Sequence, residues 1–181
     1  MVQFPPTVCV LGFSESGKTT VAEYMTQHLA AQNLRVLTAK HVGEATFTLD
    51  HPGTDSYRLS QAGAVAVLLH SEAATSLLLS HPTQKLSELL SVGVAAAPPD
   101  VVILEGFRSW TQQESQIAKI VCVRSSAETK ELTADLKGQV LAICSLKSGI
   151  PKTLHIPDEL PILSKKIDRW LACAEPLTHL D

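Results

Sequence analysis

Gly12-Phe13-Ser14-Glu15-Ser16-Gly17-Lys18-Thr19 fits G-x-x-x-x-G-K-[ST], the phosphate-binding loop pattern. Each fixed position has a physical task. Gly12 and Gly17 allow a tight loop whose N–H groups converge on phosphate oxygens. Lys18 reaches the β- and γ-phosphates, and the Thr19 hydroxyl ligates Mg²⁺. A helix starting here adds free N–H groups and the positive end of its dipole. The flanks agree with this reading. Thr7–Leu11 is short, apolar and β-branched, as a buried parallel strand is. After the loop, Val21, Ala22, Met25 and Leu29 recur at helical spacing. The expectation is a strand over 7–12, a helix over 17–32, and binding of a nucleoside triphosphate.

The chain has 181 residues, enough for one domain with a sizeable core, and the reading takes 1–181 as a single nucleotide-binding domain. With 45% hydrophobic and 18% charged residues it has a globular α/β composition. The net charge of −3 supplies no basic field, so a nucleic-acid partner is not expected. Cys9, Cys122, Cys144 and Cys173 form no C-x-x-C, which argues against zinc and for buried thiols in a reducing cytoplasm. The N-terminus lacks signal-peptide character, and no apolar run approaches a membrane span.

A second strand is expected over Arg35–His41. It carries Lys40 and His41 to its carboxyl end, where open α/β sheets place their sites. Lys40 there can touch phosphate or pair with an acid. His41 reads more readily as structural than catalytic. Residues 42–56 read as loop, with a short extended piece at Phe47–Leu49. Asp50, His51 and Asp55 lack metal-ligand spacing. Asp55 has two compatible readings, as an acid facing γ-phosphate and Mg²⁺ or as the N-cap of a helix over 56–62. Ala64–His70 and Thr75–Leu79 read as an apolar hairpin around Ser71–Ala74 that needs cover, as an antiparallel edge or an oligomer contact. A helix is expected over Thr83–Ser91, followed by a connection at Gly93–Pro99.

Val101-Val102-Ile103-Leu104-Glu105-Gly106-Phe107 is the second informative stretch: four β-formers end in an acid, in the manner of a Walker B strand. Glu105 would stand beside the Mg²⁺ shell. Ala118–Arg124 and Val140–Cys144 read as further buried strands, with a solvated helix between them. Ser145-Leu146-Lys147 has the S-x-K form of some guanine-recognition loops, but a charged loop is the simpler reading. The last helix, about Leu160 to Ala174, would face the core with Ile162, Leu163, Ile167, Trp170 and Leu171. The fold class is therefore α/β: a P-loop NTPase-type three-layer sandwich, mostly parallel, with an added antiparallel hairpin.

Taken together, Gly12–Thr20, Lys40-His41, Asp50-x-Pro52-Gly53-x-Asp55-Ser56-Tyr57-x-Leu59 running into Ala62-Gly63-Ala64, Glu105-Gly106-Phe107 and Ala118-Lys119-Ile120-Val121 resemble MobB, the molybdopterin-guanine dinucleotide biosynthesis adaptor family. The resemblance covers about Val8 to Arg124. It implies a GTP-binding, weakly hydrolysing accessory protein acting late in molybdenum cofactor assembly. Its partners would be the molybdopterin guanylyltransferase, a molybdoenzyme, or molybdopterin itself. It also implies a homodimer joined through added β structure. By position, Gly12, Phe13, Ser14, Glu15, Ser16, Gly17, Lys18, Thr19 and Thr20 match the nucleotide loop, with Lys18, Glu105 and Asp55 as catalytic residues and Thr19, Glu105 and Asp55 around the metal. Arg108 stands where the family often has Lys. The competing readings are a small-molecule kinase using ATP, which would need an Arg-rich lid, and an interaction module whose nucleotide is structural.

Overall fold

The computed structural model describes residues 3–44, 46–178 and 180. The chain forms two compact units, Met1–His41 with Lys85–Asp181, and Val42–Gln84. The first unit is built on a six-stranded parallel sheet in the order β2-β5-β1-β6-β7-β8. Its strands are β1 (Thr7–Leu11), β2 (Val36–Lys40), β5 (Val101–Glu105), β6 (Ala118–Cys122), β7 (Val140–Ser145) and β8 (Leu154–His155). Its helices are α1 (Lys18–Ala30), α3 (Leu86–Ala96), α4 (Arg108–Thr111), α5 (Ser126–Thr133) and α6 (Leu160–Leu171). The second unit holds α2 (Asp55–Gln61) and the antiparallel hairpin β3 (Ala66–His70) and β4 (Thr75–Leu79).

Strand alternation divides the core in two. Val8 and Val10 point to one face of the sheet, where Val21, Met25 and Leu29 of α1 and Leu163 and Ile167 of α6 meet them. Cys9 and Leu11 point to the other, against Leu86 and Leu90 of α3 and Phe107. These are the three expected layers. All residues of β1, β5 and β6 are buried, which is why these strands are mostly apolar, with Thr7, Glu105 and Lys119 as their polar members. Each fully buried Leu or Ile contributes about 2–3 kcal/mol by leaving water. Side chains pin α1 to α6: the Tyr24 and Ser164 hydroxyls lie 2.7 Å apart, and His28 Nε2 lies 2.7 Å from Asp168 Oδ1.

Several sequence expectations change. Helix α3 continues through Gly93 to Ala96, where a connection was expected. A Cβ at Gly93 would come 2.6 Å from Leu37 Cδ2, so the small residue marks close helix-to-strand packing and not a break. No strand forms at Phe47–Leu49. Asp55 is not the cap of α2: Thr54 is, its hydroxyl accepting from Tyr57 N at 3.2 Å. Leu163 and Ile167 are buried as expected, but Ile162 is exposed, on the side of α6 turned away from them. The two-residue β8 was not anticipated. It is too short to show a pattern, and its place follows from pairing with β7.

Cys9, Cys122 and Cys144 are buried free thiols as expected, whereas Cys173, just past the end of α6, is exposed. Burial pushes Cys9 up to about 11 and Cys144 to about 12, and raises Cys122 well above its usual range. Lys119 is also fully buried. Its ammonium donates to the carbonyls of Ile117 at 2.7 Å, Lys137 at 2.6 Å and Glu114. Burial lowers its pKa to about 8, which leaves it charged at neutral pH.

A surface clamp sets the register of the edge strand. Asp100 Oδ2 accepts from Arg35 N at 2.7 Å and Nε at 3.1 Å, while Oδ1 accepts from Nη2 at 2.8 Å. Hydrogen bonds from Arg35 hold the Asp100 carboxyl down at about 2, against an ordinary 3.8. The folded value is the lower one, so the clamp stabilises above the unfolded value and the benefit is lost as pH falls through about 2. Asp100→Asn is expected to remove this part of the acid dependence, so that its urea midpoint falls less between pH 4 and pH 2 than the wild-type midpoint does. An unchanged slope would contradict the assignment.

Candidate functional site at the carboxyl ends of the sheet

Strands β2, β5 and β1 are adjacent and parallel, so their carboxyl ends open on one edge. The register pairs Val10 with Glu105 and Lys40 with Glu105. The loop after β1 therefore emerges beside the acid that ends β5. Between them, residues 12–17 turn the chain sharply into α1. Gly12 and Gly17 have φ of 153° and 92°, and Glu15 has φ of 60°. Alternating handedness of this kind turns successive N–H groups to one side, making an anion-binding concavity. A Cβ at Gly12 would strike the Cys122 carbonyl oxygen and Ser16 Oγ. The first glycine is thus required by space as well as by backbone angle.

Polar groups gather around this concavity. Lys18 Nζ bends back to the Phe13 carbonyl at 2.6 Å. Thr19 Oγ1 donates to Glu105 Oε1 at 2.7 Å. Lys40 Nζ donates to Glu105 Oε1 at 2.9 Å and to Thr19 Oγ1 at 3.1 Å. Glu105 is buried, with a side chain only 9% exposed, so the lysine beside it supplies necessary compensation. Ser16 is buried and its Oγ has no partner among the described residues. An unsatisfied buried hydroxyl costs about 1–3 kcal/mol, and here it lies inside the loop where a phosphate oxygen would be held. Together with the glycine cradle and the Thr19–Glu105 oxygen pair, it fits a phosphate chain and a hard divalent cation.

The structure thus brings Gly12–Thr20, Lys40 and Glu105 into one site. Asp55 stands on the second unit, its carboxylate exposed and 3.3 Å from Arg58 Nη1. His41 meets the Phe107 ring edge-on at 5.6 Å, in keeping with its structural reading. Among the described residues no group of three or more acidic, His or Cys side chains is poised to hold a metal.

Two neighbours of the loop come from later elements, and of them only Leu146, within Ser145-Leu146-Lys147, was singled out from sequence. Arg124 donates to the Ser14 carbonyl at 3.2 Å, lies 5.9 Å from the Phe13 ring centroid, and is held 2.6 Å from Glu128 Oε1. The Ser125-x-x-Glu128 pattern that caps α5 is a local signal that could have found the pair. Leu146 is the other: a Cβ at Gly17 would come 3.0 Å from Leu146 Cγ, so the 145–147 segment borders the loop. Within it the Ser145 hydroxyl is turned back to accept from Lys147 N at 3.0 Å.

Residues 7–146 match the family model described as molybdopterin guanine dinucleotide synthesis protein B. The chain belongs to the MobB family. A Haemophilus influenzae molybdopterin-guanine dinucleotide biosynthesis adapter protein is 29% identical over 167 residues, covering 92% of this chain and 89% of its own. The Escherichia coli adapter protein is 28% identical over 153 residues, with 83% and 82% covered. Among solved folds, Bacillus subtilis MobB superposes with a TM-score of 0.67 at 24% identity, covering 91% of this chain and 96% of that one. A MobB homologue from Bacillus stearothermophilus gives 0.64 at 20% identity, covering 92% and 98%. Membership of MobB does not favour the kinase alternative.

Gly12→Ala is expected to cost about 2–4 kcal/mol, from backbone strain and the Cys122 contact, and to lower the melting temperature clearly. Gly43→Ala, where the added Cβ meets nothing within 4 Å, is expected to leave it near wild type. Equal melting temperatures for the two variants would show that the loop is not strained as described.

Proposed function

We propose that this MobB-family protein is a GTP- and Mg²⁺-binding accessory factor in molybdopterin guanine dinucleotide biosynthesis, assisting guanylation of the cofactor or its delivery. The observation that carries the nucleotide reading is the orphaned Ser16 hydroxyl inside a glycine-built concavity, with Lys18, Thr19 and Glu105 at its rim. The biosynthetic role rests on the family and on the names of its adapter-protein relatives.

In this reading residues 1–181 act as one nucleotide-binding domain, with Val42–Gln84 carried as an insert between β2 and α3. The loop N–H groups of 12–20 hold the phosphate chain, and Lys18 neutralises its β- and γ-oxygens. Thr19 Oγ1 and Glu105 would hold Mg²⁺, which would supply positive charge against the phosphate oxygens. Glu105 orients the attacking water through its carboxylate. Asp55, the acid of the D-x-P-G-x-D-S segment, would be a further acid for the metal on the family resemblance alone. The 145–147 segment, beside Gly17, is the candidate for contact with the base. Among the described residues the arginine beside the loop, Arg124, is tied to Glu128, so slow turnover is expected of the isolated protein.

The partners of this reading are the molybdopterin guanylyltransferase or a molybdoenzyme, with molybdopterin as a further ligand, in the cytoplasm. Among the described residues no helix is long and apolar enough to cross a membrane. A homodimer is supported by the hairpin, where Leu68, Leu69, Leu77 and Leu79 are exposed on a two-stranded sheet.

Two measurements test the proposal. Titration with GTP and ATP in Mg²⁺ is expected to show selective GTP binding, weakened at least about 100-fold in Lys18→Ala, a loss of roughly 2.7 kcal/mol. Preference for ATP with transfer to a small acceptor would replace this reading with the kinase one. Light scattering is expected to give a dimer for wild type and a monomer for Leu68→Lys; a monomeric wild type would remove the hairpin's role.

A further inference from the structure

Lys40 holds an unusual position for an exposed lysine. Its Nζ bonds both to Glu105 Oε1 and to Thr19 Oγ1, the oxygen pair that the proposed function gives to the metal. These oxygens are themselves joined at 2.7 Å. The geometry is not an accident of a flexible stem, since Lys40 and Glu105 face each other in register on neighbouring parallel strands. The two partners differ in freedom, however. The Glu105 side chain is 9% exposed and held at the end of a buried strand, while that of Lys40 is 55% exposed on a four-carbon stem open to water. One can leave; the other cannot.

An ammonium and a divalent cation on the same two oxygens would repel each other. They must therefore alternate. Lys18 does not compensate Glu105, since its Nζ is engaged by the Phe13 carbonyl, and Arg124 is engaged by Glu128 and Ser14. His41, next in the chain, turns its ring to Phe107. Among the described residues, Lys40 is thus the cation shown on the carboxylate.

We infer that Lys40 is an exchangeable internal counter-cation: its ammonium holds the Thr19–Glu105 oxygen pair and yields it to an incoming divalent metal ion. The exchange keeps a buried carboxylate neutralised at all times, so that a triphosphate can approach without meeting bare negative charge. It also sets a price on metal binding. If the lysine occupies the pair about 90% of the time, the apparent dissociation constant for the ion rises about tenfold, in proportion to the small fraction of open sites. The inference uses the nucleotide reading for its purpose, but the competition itself exists without nucleotide.

The test is Mn²⁺ binding to the whole protein without nucleotide, followed by electron paramagnetic resonance and calorimetry. Wild type is compared with Lys40→Met, Lys40→Gln and Glu105→Gln. Both Lys40 variants are expected to bind Mn²⁺ about tenfold more tightly than wild type, and Glu105→Gln at least tenfold more weakly. Lys40→Gln keeps a donor for Glu105 and so covers the case in which Lys40→Met does not fold. Mn²⁺ is also expected to raise the melting temperature of the Lys40 variants more than that of wild type. Unchanged or weaker Mn²⁺ binding in the folded Lys40 variants would overturn the inference. A parallel GTP titration separates the two questions: a wild type that binds no GTP sinks the nucleotide reading, while the Mn²⁺ ranking still decides the role of Lys40.

Discussion

The structure depends on the confinement of β1. This strand is hydrogen-bonded along both edges and buried on both faces, so it has no freedom to shift, tilt or fray. Where it ends, the chain must leave the core at once and reverse into α1, whose own apolar stripe belongs to the same core. The loop makes that turn with positive φ at Gly12, Glu15 and Gly17. The anion-binding concavity is the geometric result. Glu105 is delivered to it by the neighbouring strand β5, at a height set by backbone pairing and not by side-chain chance.

Buried polar groups in this protein fall into two kinds, separated by saturation. Lys119 is wholly buried, but all three of its ammonium protons reach carbonyls, and nothing is left for a ligand. Such a group fixes the chain around the start of β6. Ser16 has a hydroxyl with no partner, and Glu105 is compensated by a lysine that water can also reach. Incomplete or exchangeable satisfaction is costly for stability, and it is concentrated at the carboxyl edge of the sheet. The Arg35–Asp100 clamp belongs to neither kind: it is an exposed pair that aligns strand starts and takes no part in the site.

The second unit follows other rules. Its helix α2 is short and buries no residue of its own, and its hairpin exposes leucines on both strands. A two-stranded sheet of that kind is marginal alone in water. Local bonds organise its entry: Asp50 Oδ1 accepts from the Thr54 hydroxyl at 2.6 Å and from the Ser56 hydroxyl at 3.0 Å, and Thr54 then caps α2. This accounts for Asp50, Thr54 and Ser56 as turn and cap residues.

From sequence alone, the phosphate loop, the strands on either side of the site, the hairpin and the acid at the end of β5 were all legible. Their signals are local: glycine spacing, β-branched runs between turn residues, and an acid after four apolar positions. Helix α3 was cut short because Gly93 carries the same letter whether it breaks a helix or lets one approach Leu37. Asp55 was read as a cap because Thr54 beside it has the same capping chemistry. Lys40 and Arg124 carried only ambiguous signals, since their partners Glu105 and Ser14 lie 65 and 110 residues away. The chain by itself determined which residues form the loop and which strand carries the acid, because these follow from short-range periodicity and backbone sterics. Only the tertiary structure decided the strand order, and with it that Lys40, Thr19 and Glu105 share one oxygen pair. Strand neighbours are chosen by the packing of whole helices against both faces of a sheet, and no local stretch of sequence records that choice.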